Sequence, residues 1–121
     1  MNKNLPPMPF DSRSWLIGRD ELPPDAARAW LYLLCELWEN GPLPNTIGEL
    51  SRLARVSKTI FRRRVWPHVS QYLEETTVKG HKKLVEPWTY QRRIKEIGRL
   101  VKREEMSVNA RARYAENNGK K

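Results

Sequence analysis

The apolar positions of the chain fall into helical spacing in four places and into strand-like spacing in one. Ala27, Trp30, Leu31, Leu34, Leu37 and Trp38 recur at i, i+3, i+4, i+7, i+10 and i+11, which is one face of a helix. Pro23 and Pro24 suit its start, and Asp25 favours the positive end of its dipole. Gly41 ends it and Pro42 prevents its continuation. Cys35, beside the stripe, reads as a small buried hydrophobe rather than a nucleophile. After a connector at 42–45, Thr46 and Glu49 make a capping box for a second helix. Ile47, Leu50, Leu53 and Ala54 are its stripe, and it ends near Arg55. Val56 and Ser57 form a tight break, with Ser57 capping a third helix that begins at Lys58. Phe61, Val65, Val69, Tyr72 and Leu73 share one side of it, and Pro67 predicts a kink or break near Trp66.

The period then changes. Thr76, Thr77 and Val78, then Leu84 and Val85, favour two strands joined by the turn Lys79-Gly80-His81-Lys82, a short hairpin. A last helix is expected from Trp88 to Met106, with Tyr90, Ile94, Ile97 and Val101 as its apolar stripe. Residues 1–10, with three prolines, read as an extended arm anchored by Phe10; Asp11 or Ser12 caps a short turn holding Trp15, Leu16 and Ile17. Residues 107–121 read as a basic, partly disordered tail. The expected fold is mainly α with a small β-hairpin, a winged helix-turn-helix over 11–106. Two short helices joined by a tight turn are the helix-turn-helix signature, and the hairpin supplies the wing.

Charge sharpens this picture. The 121 residues carry a formal net charge of +9, unevenly placed. Residues 1–56 hold six basic and seven acidic side chains, whereas 57–121 hold 17 and seven. A concentrated positive field attracts polyanions, of which nucleic acid is the commonest. The third helix opens Lys58-Thr59-Ile60-Phe61-Arg62-Arg63-Arg64, with no acidic residue. In a helix-turn-helix this segment faces base edges in the major groove. Thr59, Arg62 and Arg63 are the candidates for base contact, and Lys58 and Arg64 for flanking phosphates. The hairpin offers Lys79, His81, Lys82 and Lys83 to backbone or minor groove. The last helix and tail offer Arg92, Lys95, Arg99, Lys102, Arg103, Arg111 and Arg113 to phosphates. The bland alternative for each group is a solvated basic surface.

Other chemistries have little footing in the sequence. Two histidines and one cysteine show no metal-ligand spacing, and the six glycines form no phosphate loop. No enzyme, metal or cofactor is expected. The apolar run Trp30 to Cys35 is six residues, seven with Ala29, against the roughly 20 a membrane span needs. No secretory signal pattern opens the chain and the lone cysteine cannot form an internal disulfide, so a cytoplasmic protein acting on DNA, with no membrane partner, is expected.

The run Met8-Pro9-Phe10, then Leu22 to Trp38, Asn40-Gly41-Pro42-Leu43-Pro44 and Leu50 to Ser57, resembles the N-terminal domain of YdaU-like prophage proteins. Asn109-Ala110-Arg111-Ala112-Arg113-Tyr114 resembles the Ala-Arg-Ala-Arg-aromatic segment after the last helix in those proteins. The likeness spans roughly residues 8–114. Pro23-Pro24 departs from a Ser/Thr-initiated helix start, and Ala27 stands where Gly is usual. The resemblance implies a winged helix-turn-helix of a phage or mobile element, with a part in replication initiation through origin binding or replisome organisation, and no catalytic motif. The expected partner is double-stranded DNA, together with a second copy (homodimer) or a replicative helicase or loader. Competing expectations are a transcriptional regulator with the same domain, a protein–protein adaptor that recruits a helicase or loader, and, ranked last, an RNA binder, since no aromatic strand platform is evident.

Overall fold

The computed structural model describes residues 4–19 and 21–119. The arm from residue 4 onward lies against the body: the Trp38 indole Nε1 donates to the Pro6 carbonyl at 2.9 Å, and Met8 packs on the core. Phe10 is not the anchor. It is half exposed, and its ring meets Trp15 at 5.6 Å instead. Asp11 accepts from the Ser14 amide at 3.1 Å and so caps α1 (Ser12–Ser14), which passes into a π-helical turn over Trp15–Arg19. Leu16 and Ile17 of that turn face solvent.

The central element is α2 (Pro24–Asn40), which buries Ala26, Ala29, Trp30, Leu33, Leu34, Leu37 and Trp38. The buried face is turned relative to the one read from the sequence. Leu31 is exposed, Ala27 is only half-buried, and Ala26, Ala29 and Leu33 take their place. Cys35 is likewise exposed rather than buried. Apolar residues surround this helix, so its phase is chosen by what packs on it. Gly41 closes it at φ 95°, a backbone that favours glycine, with its amide on the Leu37 carbonyl.

The connector is partly a strand, β1 (Leu43–Pro44). Thr46 caps α3 (Ile47–Leu53) by accepting from the Glu49 amide. The helix ends in a Schellman motif. The Arg55 amide bonds the Arg52 carbonyl, the Val56 amide bonds the Ser51 carbonyl, and Arg55 takes the left-handed conformation at φ 61°. Ser57 then caps α4 (Lys58–Ile60), accepting from the Ile60 amide at 3.2 Å.

No break follows at Trp66. The chain stays helical through a π-helical turn over Phe61–Val65, α5 (Trp66–Val69) and a 3-10 turn over Ser70–Tyr72. Pro67 has no N–H for the carbonyl four residues back, and its ring would clash there. The chain answers by bonding the Trp66 amide to the Phe61 carbonyl, five residues back.

The hairpin pairs β2 (Glu74–Val78) with β3 (His81–Val85), Val78 opposite His81 and Glu74 opposite Val85. The turn is tighter than expected. Only Lys79 and Gly80 form it, both at positive φ (51° and 82°), so His81 and Lys82 lie in β3. Pairing of β1 with β3 makes a three-stranded antiparallel sheet, order β1-β3-β2. Pro44 is tolerated because β1 is an edge. Glu86 accepts from the amides of Trp88 and Thr89 and starts α6 (Pro87–Gly119). That helix has 33 residues and does not stop at Met106, so the expected domain boundary there falls inside a helix and residues 107–119 are not an irregular tail. Its stripe is also less buried than expected: Tyr90 and Ile97 are half-buried, Ile94 and Val101 about half exposed.

The result is a mainly helical domain with a β-hairpin. Its core gathers α2, α3, Phe61 and Val65 of the π turn, Val69 of α5, and Leu43, Leu84 and Val85 of the sheet. Among the described residues no helix is long and apolar enough to cross a membrane.

Candidate nucleic-acid interface

The α4 segment is shaped by local chemistry. Ser57 fixes its first turn, and Phe61 and Val65, both fully buried, fix its rotation against α2 and α3. Lys58, Thr59, Arg62, Arg63 and Arg64 are therefore all exposed along the outside. Ile60, 39% exposed, sits among them. Lys58, Arg62 and Arg63 have no ion-pair or hydrogen-bond partner among the described residues. Arg64 reaches back to Asp25 at the start of α2, 3.4 Å away. Both side chains are more than half exposed, so the pair is worth at most about 1 kcal/mol and is easily exchanged for another anion.

The hairpin residues do not share one surface. Side chains alternate across a strand. Lys82 therefore points to one face with Leu84, while His81 and Lys83 point to the other, where Lys83 is half-buried opposite Thr76. Lys79 stands at the tip.

On α6, Arg92, Lys95, Arg99, Lys102, Arg103, Arg111 and Arg113 are exposed. Arg92 lies over the Trp88 ring at 4.9 Å, and Arg99 pairs with Glu96 at 2.7 Å. This helix packs chiefly on α2, and no substantial packing joins it to α3, α4 or the π turn. The structure thus lines up the five α4-segment residues along one exposed helical stretch, and carries the α6 cations on a helix with no substantial packing against it.

Two arginines that sequence reasoning missed have structural places. Arg93 Nε donates to the Trp38 carbonyl at 2.7 Å, and its guanidinium lies beside Gly41. Only Pro42, four residues past Trp38 and lacking an N–H, hinted that this carbonyl needs a partner. Arg55, in the turn between α3 and α4, lies over the Tyr32 ring at 4.6 Å, and Arg28 approaches the same ring at 5.3 Å.

A cavity of about 140 Å³ lies where the arm meets α2 and α6, lined by Phe10, Trp15, Trp30 and Trp88 among others. The Trp30 indole Nε1 is buried with no acceptor among the described residues. The two carboxylates of the cavity wall cap helix starts, Asp11 at α1 and Glu86 at α6. Cys35 has its thiol pushed above the usual range by partial burial, then by Glu39 and Glu36. Among the described residues no group of three or more His, Cys, Asp or Glu side chains is placed to hold a metal ion.

No protein-family model matches this chain, and neither a curated protein nor a solved structure is significantly similar to it.

Proposed function

We propose that the protein is a sequence-specific double-stranded-DNA-binding module of the winged helix-turn-helix kind, acting by binding rather than catalysis. One observation carries the reading. The side chains of Lys58, Thr59, Arg62 and Arg63 are exposed, with no ion-pair or hydrogen-bond partner among the described residues, on the outside of a helix whose inner side is locked into the core by Phe61 and Val65. Helix-turn-helix proteins present base-reading side chains from the N-terminal residues of their second helix. The tight turn through Arg55 and Val56, and the hairpin beyond α5, support the same arrangement. Arg62 and Arg63 are suited to bidentate contact with guanine, and Thr59 to a base edge or phosphate. Lys79, Lys82 and the α6 cations contribute sequence-independent attraction.

A role in replication initiation of a phage or mobile element rests on the resemblance to YdaU-like proteins alone. Binding to repeated sites in an origin rather than over a promoter separates it from transcriptional regulation.

The test is binding to origin and random duplexes across a salt series. About five phosphate contacts give a log–log slope near −4.5. Arg63→Ala is expected to cost about 1–3 kcal/mol at the preferred site and to relax preference there, whereas Lys82→Ala weakens all duplexes alike. Equal effects of both substitutions on every sequence would refute the groove assignment, and no binding at low salt would refute DNA binding altogether.

A further inference from the structure

Residues 1–56 hold six basic and seven acidic side chains, so this half of the chain is nearly neutral. The fold nevertheless brings two of its arginines to one aromatic ring. The Arg28 guanidinium carbon lies 5.3 Å from the centre of the Tyr32 ring, and that of Arg55 lies 4.6 Å from it. Both arginines are exposed and Tyr32 is half-buried. Neither guanidinium has a carboxylate partner among the described residues. Two like charges held against one ring repel each other, and the negative face of the ring offsets only part of that repulsion. An anion bound by both removes it.

The surroundings say which anion. Asp25, Arg28 and Tyr32 stand at i, i+3 and i+7, on one face of α2. The two ends of that face touch the two ends of the basic segment. Asp25 pairs with Arg64, just after Arg63, and Tyr32 holds Arg55, three residues before Lys58. The outer face of α2 therefore runs alongside the Lys58–Arg64 stretch, with Arg28 between the two contacts. Seven residues of α2 advance about 10 Å, so Arg64, Arg28 and Arg55 are spaced along about that length of helix. A row of guanidiniums beside the segment that offers Thr59, Arg62 and Arg63 suits the sugar-phosphate backbone bordering a groove, because the planar fork takes phosphate oxygens in pairs.

We infer that Arg28 and Arg55, stacked on Tyr32, form a site for backbone phosphates of duplex DNA beside the α4 segment, with Arg64 exchanging Asp25 for a phosphate at the other end of the row. The site presupposes the DNA-binding function proposed for the chain and adds to it two residues from the half without excess charge.

The full chain and its variants are titrated with a random-sequence duplex across a salt series, since phosphate contacts carry no sequence information. Each contact adds about 0.9 to the steepness of the log–log slope, which makes its loss about eightfold at 0.1 M salt relative to 1 M. Arg28→Ala and Arg55→Ala should each reduce the steepness by about 0.9, and the two together by about 1.8. Arg28→Lys combined with Arg55→Lys should keep the original slope, since lysine meets phosphate as a point charge. Both positions are exposed, and urea unfolding confirms that each variant is folded. A double alanine variant that keeps the slope overturns the inference while leaving DNA binding intact, because a charge lost beyond a Debye length from the duplex hardly moves it. A loss that the lysines do not repair makes the two arginines structural and overturns it as well. No binding by the unsubstituted chain at low salt removes this site and the DNA-binding function together.

Discussion

Replacing Arg93 by alanine separates the one structural arginine of α6 from the surface cations around it. Its Nε donates to the Trp38 carbonyl at 2.7 Å. That carbonyl sits in the last turn of α2, where Pro42 cannot supply the usual amide four residues on. Trp38 is 1% exposed, so water is a poor substitute for the lost donor. Leaving a buried acceptor unsatisfied costs about 1–3 kcal/mol, and removing a cation from a helix C-terminus adds about 0.3–1 kcal/mol. Arg93 is itself only half-buried, which draws the expected loss to about 2 kcal/mol. For a domain of this size that is a fall in Tm of roughly 6–12 °C. Urea unfolding followed by tryptophan fluorescence and circular dichroism measures it, with Arg92→Ala as the comparison. Arg92 only covers an accessible Trp88 face, worth about 0.5–1 kcal/mol. A loss below about 0.5 kcal/mol for Arg93→Ala, the range of ordinary surface substitutions, would refute the reasoning.

Three further substitutions or modifications test the remaining contacts. Phe61→Ala empties a fully buried site and should cost about 3–5 kcal/mol in thermal unfolding, a large share of a small domain's stability. Arg55→Gly relieves a left-handed backbone worth roughly 1 kcal/mol but loses the Tyr32 stacking, about 0.5–1 kcal/mol, so it should be near neutral. In a Tyr32→Leu background the same change should stabilise by about 1 kcal/mol, and equal effects in both backgrounds would deny the ring its part. Cys35 should be alkylated by iodoacetamide with a pH midpoint above that of a free thiol. Because its folded pKa is raised, its contribution to stability is present below the ordinary thiol range and lost as pH rises through the raised value.

Much of the fold was legible because local chemistry and packing agree. Thr46, Ser57 and Asp11 cap the helices they precede, and Gly41 ends α2. The strands flank a Lys79-Gly80 turn that needs positive φ. Three features were not legible, each for a physical reason. The phase of α2 is ambiguous where Trp30 to Cys35 is apolar throughout, and alanines at 26 and 29 look interchangeable with Ala27 until a neighbour's bulk is known. β1 is two residues, one of them proline, and forms only because β3 offers an edge. The helical extension beyond Met106 is built from good helix formers, among them alanine and arginine, but its side chains over 107–113 are all exposed, so it carries no buried stripe there for periodicity to reveal. Of the candidate site, residue types and exposure could be read along α4, but not the division between free charges and Arg64, Arg92 and Arg99, which have partners.

That division bears on how the basic surfaces differ. In a straight α-helix, positions 61, 65 and 69 would fan over about 80°, and one of the three would drift from the core. All three are 0% exposed here, because the wider turn over Phe61–Val65 rotates the later residues back into line. Pro67 is what forces the wider turn, so the residue that disrupts regular hydrogen bonding also aligns the three anchors. Arg62 and Arg63 are consequently held from beneath on both sides, by Phe61 and Val65. The cations from Lys102 onward on α6 have no such support, since their helix stands clear of its own body. Reading a base edge requires a side chain placed to within a fraction of an ångström, whereas attracting phosphates requires only charge. On the proposed DNA-binding reading, the two sets of cations therefore suit different tasks: the α4 segment for selecting a sequence, and α6 for adding affinity that salt removes.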